Sequence, residues 1–100
     1  MTSLFAPLQL GALTLPNRVL LAPLTRCRAN AEHTPTALMT EYYVQRASAG
    51  LIIAEATMAI EGHSAFWMEP GIYSTDQIAG WKQITDAVHA SGGRIFLQIW

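Results

Sequence analysis

Val19-Leu-Leu-Ala-Pro-Leu-Thr-Arg26 is the stretch from which the rest of the chain can be read. From Val19 to Pro23 the run is apolar and uncharged. A strand covered by helices on both faces has no wet side to alternate with, and this run shows no alternation. Pro23 stops the ladder because it has no N–H to give. Thr25 and Arg26 follow at the strand's carboxyl end, where parallel α/β proteins hold their ligands. The stretch is therefore a candidate site strand, delivering a hydroxyl and a guanidinium to its rim.

Upstream, Leu8-Gln-Leu10 and Leu13-Thr-Leu15 alternate about Gly11 and predict a small hairpin. Downstream, a polar loop runs from Cys27 to His33. Thr34-Pro35 then has the form of a hydroxyl cap followed by proline at the first helical position. A helix is predicted over 36–48, with Leu38, Tyr42 and Gln45 on one side and Met39, Tyr43 and Ala47 beside them, and Gly50 as its stop. Leu51-Ile-Ile-Ala-Glu-Ala56 is a second apolar strand that turns polar at Glu55 and Thr57. The loop 58–73 carries His63, Phe66, Trp67, Met68 and Tyr73; its length marks it as functional or disordered, and its aromatic content argues against disorder. Ser74 and Gln77 have the spacing of a capping box. Ile78, Trp81, Ile84 and Val88 form the apolar stripe of an amphipathic helix, which ends at Ser91-Gly-Gly93. Arg94 to Trp100 is a third strand, with polar Gln98 near its end.

The order is hairpin, strand, helix, strand, helix, strand. Tight turns at Gly50 and Gly92-Gly93 alternate with long loops at 26–34 and 57–74, which puts the functional face at the carboxyl ends of the strands. Right-handed crossovers make the three strands parallel neighbours. Three parallel strands leave two open edges, and a closed (β/α)8 barrel takes about 250 residues. The expectation is an α/β chain whose residues 1–100 are the N-terminal segment of one larger barrel domain.

The 100 residues are 51% hydrophobic and 13% charged, with a net charge of −1, which excludes a disordered tail. With no Lys/Arg run, nucleic acid is not expected as a partner. No apolar run approaches the roughly 18 residues that span a bilayer, and no secretory leader is visible at the start, so neither membrane nor export is expected. One cysteine, Cys27, makes no internal disulfide and fits a cytoplasmic protein. His33, His63 and His89 lack metal-ligand spacing and are read as surface residues. There is no phosphate loop, no GxGxxG and no Ser/His/Asp grouping.

Several segments together resemble the Old Yellow Enzyme family of flavin-dependent ene-reductases, in its N-ethylmaleimide reductase and pentaerythritol tetranitrate reductase branch. They are Leu4-Phe-Ala-Pro-Leu8, Pro16-Asn-Arg-Val19, Ala22-Pro-Leu-Thr-Arg26, the long run Glu41 to Thr57, Pro70-Gly-Ile72 and Gln98-Ile-Trp100. The resemblance implies a (β/α)8 barrel with non-covalent FMN, reduced by NADPH and passing hydride to an electron-poor alkene. It implies cofactor contacts from Pro23, Leu24 and Thr25 on the O4/N5 side of the flavin, main-chain contact from Ala56, and a hydrogen bond from Gln98 to the pyrimidine edge. Trp100 and Phe66 are implied in the substrate pocket. The implied partners are small electron-poor alkenes and the remaining barrel, carried by the same chain or by a second one. The family's carbonyl-binding pair, proton-donating tyrosine and phosphate site lie beyond Trp100, so no catalytic residue is assigned here, and no metal. Two departures stand out. Phe66 occupies the place of a tyrosine in the branch, and Thr25 that of a cysteine in another branch, so Cys27 is not the residue that tunes the flavin.

Without the resemblance, Thr25 is equally well a strand-end cap and Gln98 a strand-end amide serving the backbone. Trp81, Tyr42 and Tyr43 read as packing residues. Glu55 reads as a buried strand-end carboxylate paired with Arg26 or Arg18. Three functions stay open: an FMN-dependent alkene reductase, a non-catalytic or split-barrel fragment needing a complementary chain, and another FMN barrel reductase.

Overall fold

A computed structural model describes residues 3–100. Two short strands open the chain, β1 (Leu8–Leu10) and β2 (Leu13–Leu15), paired antiparallel with Leu8 opposite Leu15 and Leu10 opposite Leu13. Gly11 sits at φ +57°, as the first position of a two-residue hairpin turn requires. Three parallel strands follow, in the spatial order β3 (Leu20–Leu21), β4 (Leu51–Thr57), β5 (Ile95–Ile99). Two helices connect them, α1 (Ala37–Val44) and α2 (Thr75–Ala90). The chain is thus a partial α/β sheet with helices on it and a hairpin at one end.

The apolar character of Leu51 to Ala56 has the expected cause. β4 is the central strand, with β3 on one side and β5 on the other, and Leu51, Ile52, Ala54 and Ala56 are all buried. Val19 to Pro23 departs from the prediction. Only Leu20 and Leu21 join the ladder, and Val19 and Leu20 stay 39% and 44% exposed. β3 is an edge strand here, so its apolar residues lack cover on one side.

α1 differs from the predicted span of 36–48. Its cap is Thr36 rather than Thr34, and the Thr36 hydroxyl donates to the Arg28 carbonyl at 2.7 Å instead of accepting from the helix. Past Val44 the chain tightens into three-residue turns, with Arg46 N–H donating to Tyr43 O and Ala47 N–H to Val44 O. The buried side is Met39, Tyr43 and Ala47, while Leu38 is exposed. Gly50 stops nothing by a left-handed turn. A Cβ there would lie 2.2 Å from the Asn17 carbonyl oxygen, and Gly50 N–H donates to Val19 O at 2.7 Å. The glycine lets the segment entering β3 lie against the start of β4.

In α2 the capping box forms as expected, Ser74 accepting from Gln77 N–H and the Gln77 side chain accepting from Ser74 N–H. The buried stripe keeps Trp81, Ile84 and Val88 and differs from the expectation at its first member. Gln77, Trp81, Ile84 and Val88 face inward, and Ile78 is 54% exposed. Gln77 tolerates burial because every polar atom of its amide is used. Its Oε1 accepts from Tyr73 and Ser74 N–H, and its Nε2 donates to the Glu32 carbonyl. The core is then Met39, Tyr43, Ile52, Ala54, Trp81, Ile84 and Val88, where both helices meet the sheet. No helix among the described residues is long and apolar enough to cross a membrane.

Candidate functional site

The carboxyl ends of the three parallel strands come together as one rim. Between Ala54–Leu97 and Thr57–Ile99 the ladder of β4 and β5 slips, three residues of β4 running against two of β5. The extra residue falls at Glu55-Ala56, opposite Gln98. A bulge at this place re-aims side chains at the rim, a common device beside active sites. Ala56 is buried in it, and Gln98 is exposed across from it. Beyond the bulge, Trp100 N–H donates to Thr57 O and Ala59 N–H to Trp100 O, both at 3.2 Å, so the two strand ends stay joined.

β3 reaches the same rim by its extended continuation. Pro23 and Thr25 are half-buried and Leu24 is exposed. The neighbouring Arg26 N–H points at Glu55 Oε1, 3.5 Å away, which ties the end of this segment to the bulge. Among the described residues, neither the Thr25 hydroxyl nor the Gln98 amide takes a hydrogen-bond partner within the chain. Of the expected cofactor contacts, the fold therefore gathers Pro23, Leu24, Thr25, Ala56 and Gln98 at one sheet end. Phe66 and Trp100, expected in the substrate pocket, are also together: their rings are 5.7 Å apart and 3° from parallel.

Glu55 is where the expectation of an arginine partner fails. Its side chain, almost fully buried, accepts from the Tyr43 hydroxyl at 2.5 Å through Oε2, and its own N–H donates to that hydroxyl oxygen at 3.0 Å. The Arg26 guanidinium lies over the Tyr42 ring instead, 5.3 Å from its centre, with Arg46 at 4.0 Å. Arg18 donates to the Pro7 carbonyl. Among the described residues Glu55 has no ion pair, and a neutral phenol leaves the buried carboxyl better suited to its uncharged form. Burial pushes the Glu55 carboxyl above its ordinary value, against the Tyr43 hydrogen bond and the Arg26 N–H and charge, which pull it down. Burial, and then the Glu55 charge, hold the Tyr43 hydroxyl far above the usual phenol range, so it stays a donor. Beside this pair a cleft of about 240 Å³ is lined by Arg26, Arg28, Tyr42, Gln45 and Glu55.

The long loop after β4 folds back on the chain at its base. Its base is pinned by Met58 N–H to Pro70 O, Ile72 N–H to Met58 O, Gly71 N–H to His33 O and Ala29 N–H to Met68 O. His33 corrects a surface reading: it is half-buried, with Nδ1 2.6 Å from the Glu69 carbonyl oxygen. His63 and His89 are exposed. Glu69, fully buried, was not singled out from the sequence. The available signal was a carboxylate placed between Trp67-Met68 and Pro70, where a solvated loop would carry no such apolar flank. No group of three or more His, Cys, Asp or Glu among the described residues is arranged to hold a metal.

Comparison with known proteins bears on the family and the fold. Residues 3–100 match the model of the NADH:flavin oxidoreductase / NADH oxidase family. A "probable flavin mononucleotide-dependent alkene reductase" of Leishmania infantum is 53% identical over 93 residues, 93% of this chain and 26% of that protein. An NADP-dependent oxidoreductase of Aspergillus flavus is 53% identical over 102 residues, 100% of this chain and 27% of that protein. Among solved structures, morphinone reductase in complex with tetrahydroNAD superposes with a TM-score of 0.95 at 54% identity, over 100% of this chain and 27% of that one. The chain spans about a quarter of the length of the relatives it matches.

Proposed function

The chain belongs to the NADH:flavin oxidoreductase / NADH oxidase family, and from that membership we propose that it forms the first part of an FMN-dependent ene-reductase. The activity belongs to the longer protein, a (β/α)8 barrel of the kind its solved relatives represent. A nicotinamide, NADPH in our reading, supplies the hydride, and an α,β-unsaturated carbonyl or similar electron-poor alkene receives it.

The observation that carries this reading is the rim itself. A hydroxyl on Thr25 and a carboxamide on Gln98 stand unspent at the ends of parallel strands, on either side of the bulge at Ala56. These are the neutral donors and acceptors that an isoalloxazine's pyrimidine carbonyls and N5 require. The Thr25 hydroxyl would donate on the O4/N5 side, with the main chain of Pro23 and Leu24 beside it. Gln98 would serve the pyrimidine edge, and Ala56, having no bulk, would let the ring approach the backbone. Donors aimed there favour the negative charge of a reduced flavin. When bound, FMN supplies the hydride relay that no side chain of this segment can supply. Phe66 and Trp100 would wall the substrate space with flat apolar surface and exclude water from it.

The test is direct. Full-length protein is expected to be yellow, or to turn yellow on addition of FMN, and to oxidise NADPH when 2-cyclohexenone or N-ethylmaleimide is present. A protein that takes up no FMN would end the proposal. One that binds FMN but consumes NADPH without reducing either alkene would point to a different FMN barrel reductase.

A further inference from the structure

The loop between β4 and α2 is held very unevenly. Residues 68–72 are fastened by main-chain hydrogen bonds to Ala29, His33 and Met58. The tip, 60–67, is exposed throughout, including Ile60, Phe66 and Trp67. Within the tip, Ser64 Oγ donates to the Phe66 carbonyl at 3.2 Å. Among the described residues, one hydrogen bond joins tip to base: Ala65 N–H to Glu69 Oε1, at 2.6 Å. Glu69 is fully buried, and its other oxygen, Oε2, has no hydrogen-bond partner among the described residues. Its carbonyl oxygen is fixed in turn by the His33 ring.

A carboxylate taken out of water with one oxygen unpartnered is costly, and a loop that merely needed to close would carry a smaller neutral residue there. The arrangement makes sense if the bond that it does make is needed. Ala65 immediately precedes Phe66, whose ring lies parallel to Trp100. Fixing the Ala65 N–H restrains the backbone from which the Phe66 side chain projects. Met68, at φ +54°, turns the chain back so that Glu69 lies under the tip.

We propose that Glu69 is a positioning residue that holds the aromatic wall of the substrate space, its buried carboxylate anchoring the tip that carries Phe66 against Trp100. It acts through Ala65 on Phe66, and so governs which alkenes fit rather than how fast hydride moves. What the wall selects rests on the ene-reductase reading; the anchoring itself does not.

The experiment compares Glu69→Gln and Glu69→Ala in the full-length protein. Glutamine keeps an oxygen to accept the Ala65 N–H, whereas alanine removes it. Hydrogen–deuterium exchange of peptides covering 60–67 is expected to quicken about tenfold in the alanine variant, the factor that one ordinary hydrogen bond represents, and to stay near wild type in the glutamine variant. With unsubstituted and ring-substituted 2-cyclohexenones as probes, alanine should move KM for the bulkier probe severalfold and leave the FMN dissociation constant unchanged. Exchange that does not respond to Glu69→Ala would overturn the anchoring. So would glutamine and alanine variants that loosen the tip equally. Loosened exchange with unaltered KM for both probes would overturn the role in substrate choice. A protein that binds no FMN would remove the ene-reductase reading while the exchange comparison still reported on Glu69.

Discussion

Tyr43 shows how much one hydroxyl organises. It donates to the Glu55 carboxylate and accepts the Glu55 N–H, so Tyr43→Phe strips a partner from two buried groups at once. That substitution should cost about 2 kcal/mol in urea unfolding, since each orphaned buried group costs roughly 1 to 3 kcal/mol before relaxation. Glu55 carries a pH signature with a definite sign. Its folded pKa is raised from 4.5, so the protonated form favours the fold. The stability it contributes is therefore full below pH 4.5 and is lost as pH rises through the raised value. Relative to Glu55→Gln, wild type should lose Tm steadily from about pH 4.5 upward; parallel Tm profiles from pH 4 to 8 would show that Glu55 does not titrate as argued. Thr25 gives a third residue-scale expectation. If its hydroxyl serves the reduced flavin, Thr25→Ala should lower the two-electron potential by about 30 mV, the equivalent of one hydrogen bond. An unchanged potential would take Thr25 out of that role. The sequence made Glu55 legible as a buried carboxylate but not its partner, because Tyr43 and Arg26 are equally close in pattern. Only the packing of α1 against β4 decides between a phenol and a guanidinium.

At the scale of elements, strands and helices were legible and their faces less so. β4 and β5 announce themselves by β-branched and apolar runs, and α2 by its capping box, because those signals are local. The face of α2 is legible at Trp81, Ile84 and Val88 but not at its first member, since an amide at Gln77 reads as polar until its three hydrogen bonds to loop backbone are seen. Ile78→Lys should accordingly change stability by less than about 0.5 kcal/mol, as for a surface substitution, whereas Trp81→Ala should cost about 3 to 5 kcal/mol. Equal losses would restore Ile78 to the core. Gly50 carries a similar lesson. It reads as a helix stop, but its need for glycine is the Asn17 carbonyl against its Cα, a contact 33 residues away in sequence (50 − 17). Gly50→Ala should cost about 2 to 3 kcal/mol by overpacking, measurable in thermal unfolding. Gly11→Ala meets open space and pays only for its positive φ, about 1 to 2 kcal/mol.

For the molecule as a whole, shape and surface argue together. Its radius of gyration is 14.2 Å and its long dimension 47 Å against 23 and 22 Å. A compact domain of 100 residues has a radius near 13 Å. Its accessible surface, 5952 Å², exceeds the roughly 5,600 Å² of a closed monomer of this mass. Large apolar side chains contribute to it: Leu20 on β3, Phe96 and Ile99 on β5 and Trp100 just beyond β5 are exposed, and among the described residues neither β3 nor β5 has a second neighbouring strand. Open edges with exposed apolar side chains pair with whatever strand they meet. Residues 1–100 alone should therefore self-associate with increasing concentration in sedimentation velocity. Phe96→Lys with Ile99→Lys, which by strand alternation charge opposite faces of β5, should suppress it. In the longer protein, where a barrel reading puts both side chains under neighbouring strands and helices, the same pair should be destabilising by several kcal/mol, because two ammonium groups would be buried unpaired. The sign reversal is the informative result. A pair of lysines that is harmless in both contexts would mean that β5 is an edge in the longer protein too, and the barrel would not close around it.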